Sequence, residues 1–262
     1  VRQLLRQAEG TPVKIYMVGG AVRDTMLGRE PKDFDYVIVG GSAEDLLAKG
    51  YQQVGADFPV FLHPETGDEY ALARVERKTG DGYGGFTVET DGVSLEDDLG
   101  RRDLTINSMA IDIETNELFD PFNGRADLHN HVLRHTSPAF SEDPLRVLRL
   151  ARFGARFENF SVAPETTAMC QALCATSELN ALSIERVWVE LEKGFSEASP
   201  ARFMELLDQL GALEHCKVLS DIFGQWLTHE QAVLAARIAT VDVGHRLFVA
   251  IAVLMQNGGY FC

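Results

Sequence analysis

Apolar and polar positions come in short blocks over the first 75 residues, and glycine or proline closes each block. Lys14-Ile15-Tyr16-Met17-Val18 reads as a strand that stops at Gly19-Gly20. Residues 21–27 have the spacing of a helix, and Gly28 ends it. Phe34 to Val39 predicts a second strand, closed by Gly40-Gly41, after which Ser42 is placed to cap a helix over residues 42–49. Phe58 to Leu62 and Glu69 to Val75 predict two more strands, joined by a turn around Pro64 and Gly67. A short helix is expected over residues 1–10 and a longer one over residues 94–111. Between them, residues 78–85 are glycine-rich and predict a mobile loop beside a site. Leu118-Phe119-Asp120-Pro121 leads into a turn at Asn123-Gly124. From Glu142 onward strand signals vanish, and a helical period runs to about residue 256.

The pattern predicts an α+β protein. An N-terminal head of mixed sheet and helices covers residues 1–140, followed by an all-helical body. The body divides into a neck at 141–215 and a tail at 216–262. The closing Gly258-Gly259-Tyr260-Phe261-Cys262 ends abruptly, as a truncated C-terminal region would, and Val1 in place of Met suits a chain that begins inside a longer parent.

Composition narrows the class. The 262 residues suffice for a real core, and 45% hydrophobic with 24% charged residues is ordinary for a soluble protein, so a cytoplasmic location is expected. No apolar run reaches the ~18 residues of a membrane span, so no membrane partner is expected, and the apolar part of the opening segment is too short for a signal peptide. Cys170, Cys174, Cys216 and Cys262 match no zinc pattern and read as buried or idle thiols. The net charge of −15 argues against wholesale charge-driven binding to nucleic acid, yet Arg146, Arg149, Arg152 and Arg156 cluster and leave room for a local basic groove.

Two features carry chemistry. A strand, two glycines and a helix bring backbone N–H groups and the positive helix end together at Gly19-Gly20, a phosphate-binding arrangement to which Arg23 adds a charged donor. Asp33 and Asp35 are two apart at the start of a strand, so both side chains are expected on one face, with Phe34 on the other. Two such carboxylates repel unless a cation lies between them, and Mg²⁺ suits oxygen ligands and substrate phosphates. Glu69 is the candidate for a third carboxylate, with Asp68 as its competitor.

The run Val18-Gly19-Gly20-Ala21-Val22-Arg23-Asp24, ending in Asp33-Phe34-Asp35, resembles the signature of the tRNA nucleotidyltransferase and poly(A) polymerase family, and most of all bacterial CCA-adding enzymes of gammaproteobacterial type. Three further segments agree in order. Arg101-Arg102-Asp103-Leu104-Thr105-Ile106-Asn107 resembles the family's ribose and nucleotide-handling motif. Glu142-Asp143-Pro144-Leu145-Arg146 resembles its nucleotide-selecting motif, and Glu185-Arg186-Val187-Trp188-Val189-Glu190 the helix supporting it.

The resemblance implies addition of C, C and A to the 3′ end of tRNA from CTP and ATP, with release of pyrophosphate and Mg²⁺ at Asp33 and Asp35. Gly20, Arg23, Arg102, Asp103 and Asn107 are then expected at the triphosphate and ribose. Asp143 and Arg146 are expected at the base. ATP and CTP share an exocyclic amine beside an unprotonated ring nitrogen, so an Asp acceptor and an Arg donor three residues apart on a helix accept A and C and reject G and U. Arg149 and Arg152 match further nucleotide-contacting positions. At ~100° per residue Arg152 is about half a turn from Asp143, so Arg149 and Arg152 are assigned to phosphate, ribose or indirect support. Arg186 and Glu190 read as supports or as an ordinary helix pair. Some relatives carry a phosphohydrolase domain marked by a His-Asp doublet; no such doublet occurs here, and no phosphohydrolase activity is expected. The alternatives are a poly(A) polymerase or A-only tRNA enzyme, an inactive RNA-binding protein retaining the fold, and, more distantly, an antibiotic nucleotidyltransferase.

Overall fold

The strand predicted between Lys14 and Val18 forms as β1 (Lys14–Val18), and it pairs antiparallel with β2 (Asp35–Val39) in a register that sets Val18 opposite Asp35. The computed structural model describes residues 13–55, 60–78, 86–90 and 92–223. These fall into two compact units: one within Val1–Asn130 and His135–Ala139, the other within His131–Arg134 and Phe140–Cys262. The expected helix over residues 1–10, the start of the strand at Phe58, the loop beyond Lys78 and the helical period beyond residue 223 lie outside the described residues.

In the first unit, α1 (Gly20–Met26) connects β1 to β2, and α2 (Ala43–Ala48) follows with the Ser42 hydroxyl accepting from the Asp45 N–H, as the cap residue predicts. Next come β3 (Gln52–Val54), β4 (Val60–Leu62) and β5 (Glu69–Leu72). The hydrophobic pattern does not predict β3, whose three residues include two adjacent glutamines. The strand expected from Glu69 to Val75 is interrupted. The Ala73 N–H donates to the Ile38 carbonyl, the Arg74 N–H turns to the Asp98 carboxylate, and the chain resumes as β6 (Val75–Lys78), paired with β7 (Phe86–Glu89) in a separate sheet.

The helix expected over residues 94–111 is much shorter. α3 (Leu95–Gly100) starts with a capping box between Ser94 and Asp97 and stops at Arg101. Leu104 is extended and bridges to His135, while the Asp103 carboxylate accepts from the Leu104 N–H at 2.8 Å. Such local side-chain bonds compete with helix. A 3-10 turn at Thr105–Asn107, β8 (Ala110–Asp112) and β9 (Leu118–Phe119) follow. The turn expected at Asn123-Gly124 is the start of α4 (Gly124–His129): Asn123 has φ 59°, and the Asp120 carboxylate accepts from the Gly124 and Arg125 N–H groups. The seven-stranded sheet has the order β3-β4-β5-β2-β1-β8-β9, with β2 parallel to β5 and antiparallel to β1. Alternation along β2 sends Val37 to a core with Val18, Leu99 and Ala110, and Ile38 to one with Leu46, Tyr51, Phe61 and Tyr70.

The second unit contains β10 (Val132–Leu133), α5 (Leu145–Arg156), β11 (Ser161–Val162), α6 (Pro164–Cys174), α7 (Ile184–Ser196), α8 (Pro200–Gln209), α9 (Ala212–His215) and α10 (Lys217–Phe223). Strands therefore do not end at Glu142, since β10 and β11 pair in parallel; two residues are too few for an alternation to register. α5 is the centre, with Val147, Leu148, Leu150 and Ala151 fully buried. It packs against α7 and α8. Gly154 and Gly194 make room: a β-carbon on either would come within 2.5 Å of Leu206 or Phe203 of α8. Cys170, Cys174 and Cys216 are buried free thiols. Among the described residues no helix is long and apolar enough to cross a membrane.

Candidate functional site

Gly19 marks the place in the first unit where charged groups converge. Its φ of 67° and ψ of −129° belong to a region that glycine alone enters readily. A β-carbon there would lie 3.1 Å from Arg102 Nη1 and 4.0 Å from Asp35 Oδ2. The turn thus sits between a guanidinium and a carboxylate, an arrangement set by the register that pairs Val18 with Asp35. No side chain caps the start of α1, so its first N–H groups belong to this turn.

Arg23 is 3% exposed, and its guanidinium is engaged inside the head. Nε and Nη2 donate to the two Asp24 carboxylate oxygens at 2.9 and 3.0 Å, and Nη1 donates to Asn107 Oδ1 at 2.6 Å. Asn107 Nδ2 in turn donates to Asp103 Oδ1 at 2.9 Å. This Asp103–Asn107 bond forms although the helix expected over residues 94–111 has ended at Gly100. This chain of bonds ties α1 to the 3-10 turn, with Arg23 Nη2 3.5 Å from where a Gly20 β-carbon would be.

Asp35 opens β2, but Asp33 lies in the bend before it, so strand alternation does not put the two carboxylates on one face. They interact all the same. Burial around the Asp35 carboxyl raises its pKa above the ordinary value, with Arg102 pulling it down and the Asp33 charge pushing it further up. Glu69 is the direct partner of Asp35 in the parallel β2–β5 ladder, which places both on the same side of the sheet. Asp68 instead accepts from the Thr66 hydroxyl at 2.7 Å within its own turn. Among the described residues no three His, Cys, Asp or Glu side chains form a ready-made metal cage. The candidate donors are the Asp33 and Asp35 carboxylates, which interact with each other. They fit a hard cation that binds through one or two carboxylates and keeps positions for water and phosphate. A positive charge there also relieves both influences that raise Asp35.

In the second unit Pro144 occupies the N-cap position of α5, and Asp143 lies just ahead of the helix. The Asp143 carboxylate accepts from Leu145 N–H at 3.2 Å and from Arg186 Nη2 at 2.9 and 3.2 Å, and its carbonyl accepts from Arg146 N–H. Arg152 and Glu190 are 7% and 3% exposed and joined by a 2.7 Å bond, with Arg149 3.9 Å from the other Glu190 oxygen. Arg156 meets Glu197 at 3.1 Å. Arg186 thus reaches from α7 to Asp143 ahead of α5, and Glu190 reaches Arg152 on α5 itself. Arg152 is buried and bonded to Glu190, which suits the indirect-support option among those raised for it.

Asp98 was not singled out from the sequence. It is fully buried and receives both Arg101 and Arg102. Its signal was present as an acid three and four residues ahead of two arginines at a helix end.

The chain matches two family models: the poly A polymerase head domain over residues 15–134, and the probable RNA and SrmB-binding site of polymerase A over residues 159–221. It is 57% identical over 202 residues to a multifunctional CCA protein of Dechloromonas aromatica, covering 77% of this chain and 49% of that one. It is 50% identical over 248 residues to a CCA-adding enzyme of Pseudomonas putida, covering 94% and 65%. The chain spans 49% and 65% of the lengths of these two relatives. Among solved structures it resembles an apo CCA-adding enzyme with a TM-score of 0.75 at 26% identity, covering 95% of this chain and 61% of that one. It also resembles a Thermotoga maritima CCA-adding enzyme complexed with tRNA, with a TM-score of 0.66 at 25% identity, covering 95% and 56%. The motifs and the head around Gly19 agree with these matches, and the chain belongs to the tRNA nucleotidyltransferase and poly(A) polymerase family.

Proposed function

We propose that this chain is the nucleotide-transferring part of a CCA-adding enzyme, acting on tRNA 3′ ends with CTP and ATP. The observation that carries the reading is the seat of Gly19 between Arg102 and Asp35. The names of the relatives support the choice of tRNA over other acceptors. In this reading Asp33 and Asp35 hold a divalent cation, Mg²⁺, with Glu69 beside Asp35 as a further carboxylate. When bound, the metal lowers the barrier for attack by the 3′ hydroxyl and stabilises the departing pyrophosphate.

The remaining roles belong to the chain itself. The Gly19-Gly20 turn, the first N–H groups of α1 and Arg102 take the triphosphate. Asp103 accepts from the ribose hydroxyl, held by the Asn107 amide, which Arg23 fixes from the other side. In the second unit, Asp143 accepts from the base amine and Arg146 donates to the ring nitrogen. Arg149 contributes at the nucleotide, and Arg152 holds α5 in place through Glu190. The neck at 141–215 is thereby the selecting element, and the tail at 216–262 contributes tRNA contact.

The test offers the protein a tRNA lacking its CCA end, with each labelled nucleotide in turn. The expected result is C, C and A, stopping after three additions. Long A tails would favour a poly(A) polymerase. No incorporation with either Mg²⁺ or Mn²⁺ would sink the enzyme reading.

A further inference from the structure

Asp98 sits on the last turn of α3 and is 0% exposed. A carboxylate in such a place persists only where its partners outweigh the loss of water. Burial pushes its pKa up, but the Arg102 and Arg101 charges and their hydrogen bonds outweigh that, and the net direction is down. The two oxygens serve different partners. Oδ1 accepts from Arg101 Nη2 at 2.9 Å, Arg101 Nε at 3.2 Å and the Arg74 N–H at 3.3 Å. Oδ2 accepts from Arg102 Nη2 at 3.1 Å and Nε at 3.4 Å. One edge of the Arg102 guanidinium is therefore held by Asp98, and the remaining nitrogen, Nη1, is the atom that approaches the Gly19 turn. A long arginine side chain loses considerable rotamer entropy when it is fixed, and holding it beforehand removes that cost from ligand binding.

We propose that Asp98 is a positioning residue that aims Arg102 Nη1 at the phosphate turn. The inference rests on the reading of Arg102 as a triphosphate contact. The experiment uses the full chain with a tRNA primer ending in CC and varied ATP. Asp98→Asn, close in size but neutral, is expected to raise KM for ATP about tenfold, the size of one charge-assisted hydrogen bond, with a smaller change in kcat. Arg102→Ala is expected to raise KM at least as much. The double variant should be no worse than Arg102→Ala alone, because Asp98 acts through Arg102.

An unchanged KM in Asp98→Asn while Arg102→Ala raises it overturns the positioning role alone. Additive effects in the double variant overturn it as well. An unchanged KM in Arg102→Ala refutes the phosphate reading of Arg102 and the inference with it. Should Asp98→Asn not fold, Asp98→Glu takes its place: it keeps the charge but displaces Arg102, so wild-type KM in that variant is the refuting result.

Discussion

A carboxylate whose proton is held tightly by burial and by a neighbouring charge is uncomfortable when ionised and alone. Asp35 is in that position, with Asp33 adding to the effect of burial and Arg102 opposing it. Asp35→Asn is therefore expected to abolish nucleotide transfer while leaving the metal-free Tm equal to or above that of the wild type, read by thermal unfolding beside the incorporation assay. Gly19 allows the opposite test. Alanine there must adopt φ near 67° with its β-carbon 3.1 Å from Arg102 Nη1. The backbone penalty is about 1–3 kcal/mol, measurable by urea unfolding. Because the far end of Arg102 must shift as well, KM for ATP should suffer more than that penalty accounts for. At this scale the Gly19-Gly20 turn of the candidate site was legible from neighbouring residues, whereas the shared strand face expected of Asp33 and Asp35 was not, because the bend before β2 takes Asp33 out of the alternation. Arg23 was legible as a residue at the turn, but its commitment to Asp24 and Asn107 was not, since Asn107 arrives from 84 residues away.

At the scale of elements, two buried charges hold α5 against α7. Removing one partner leaves the other with only a longer contact, Glu190 with Arg149 at 3.9 Å or Arg152 with Glu197 at 3.7 Å. Arg152→Met should destabilise the protein by about 3–5 kcal/mol, and Arg152→Met with Glu190→Met should recover much of that loss, as followed by urea midpoints. An unchanged midpoint in the single variant would rule out a supporting role for the pair. Helices and strands with a clear stop were legible: β1, α1, β2 and α2 each end at or near a glycine, and α2 begins at a serine cap. β3, β10 and β11 were not, because two or three residues hold no period to detect. The helix over residues 94–111 was overextended for a different reason. The residues are compatible with helix, but Asp103 bonds its own neighbour's N–H and turns the chain.

Across the whole molecule, opposite ends of the pH scale act on different units. Asp98 has a folded pKa below its ordinary 3.8, so its stabilising contribution is present above that value and fades as pH falls below it. Burial first, then neighbouring thiols, push Cys170 and Cys174 up to about 12 from 9.0. Folding thus favours the neutral thiols; their contribution is complete below pH 9.0 and is lost as pH rises toward about 12. Trp188 is on α7 of the second unit, so with Trp226 replaced by Phe the tryptophan fluorescence reports on that unit. Its urea midpoint should fall from pH 9 upward, and Cys174→Ala should flatten that decline; an unaltered slope would remove the thiols as its cause.

β2 occupies the middle of the seven-stranded order, bonded on one side to β1 and on the other to β5. Central strands of this kind open only when the whole cooperative unit opens, whereas edges fray. The backbone amides from Tyr36 to Val39 should accordingly be among the slowest of the head to exchange with solvent deuterium. Asp35 is carried by that strand, so heat or denaturant cannot loosen it separately from the sheet. Partial fraying at β3 or β9 leaves the Asp35 carboxylate in place, and its seat beside the Gly19 turn is lost in the same event that ends the head's fold.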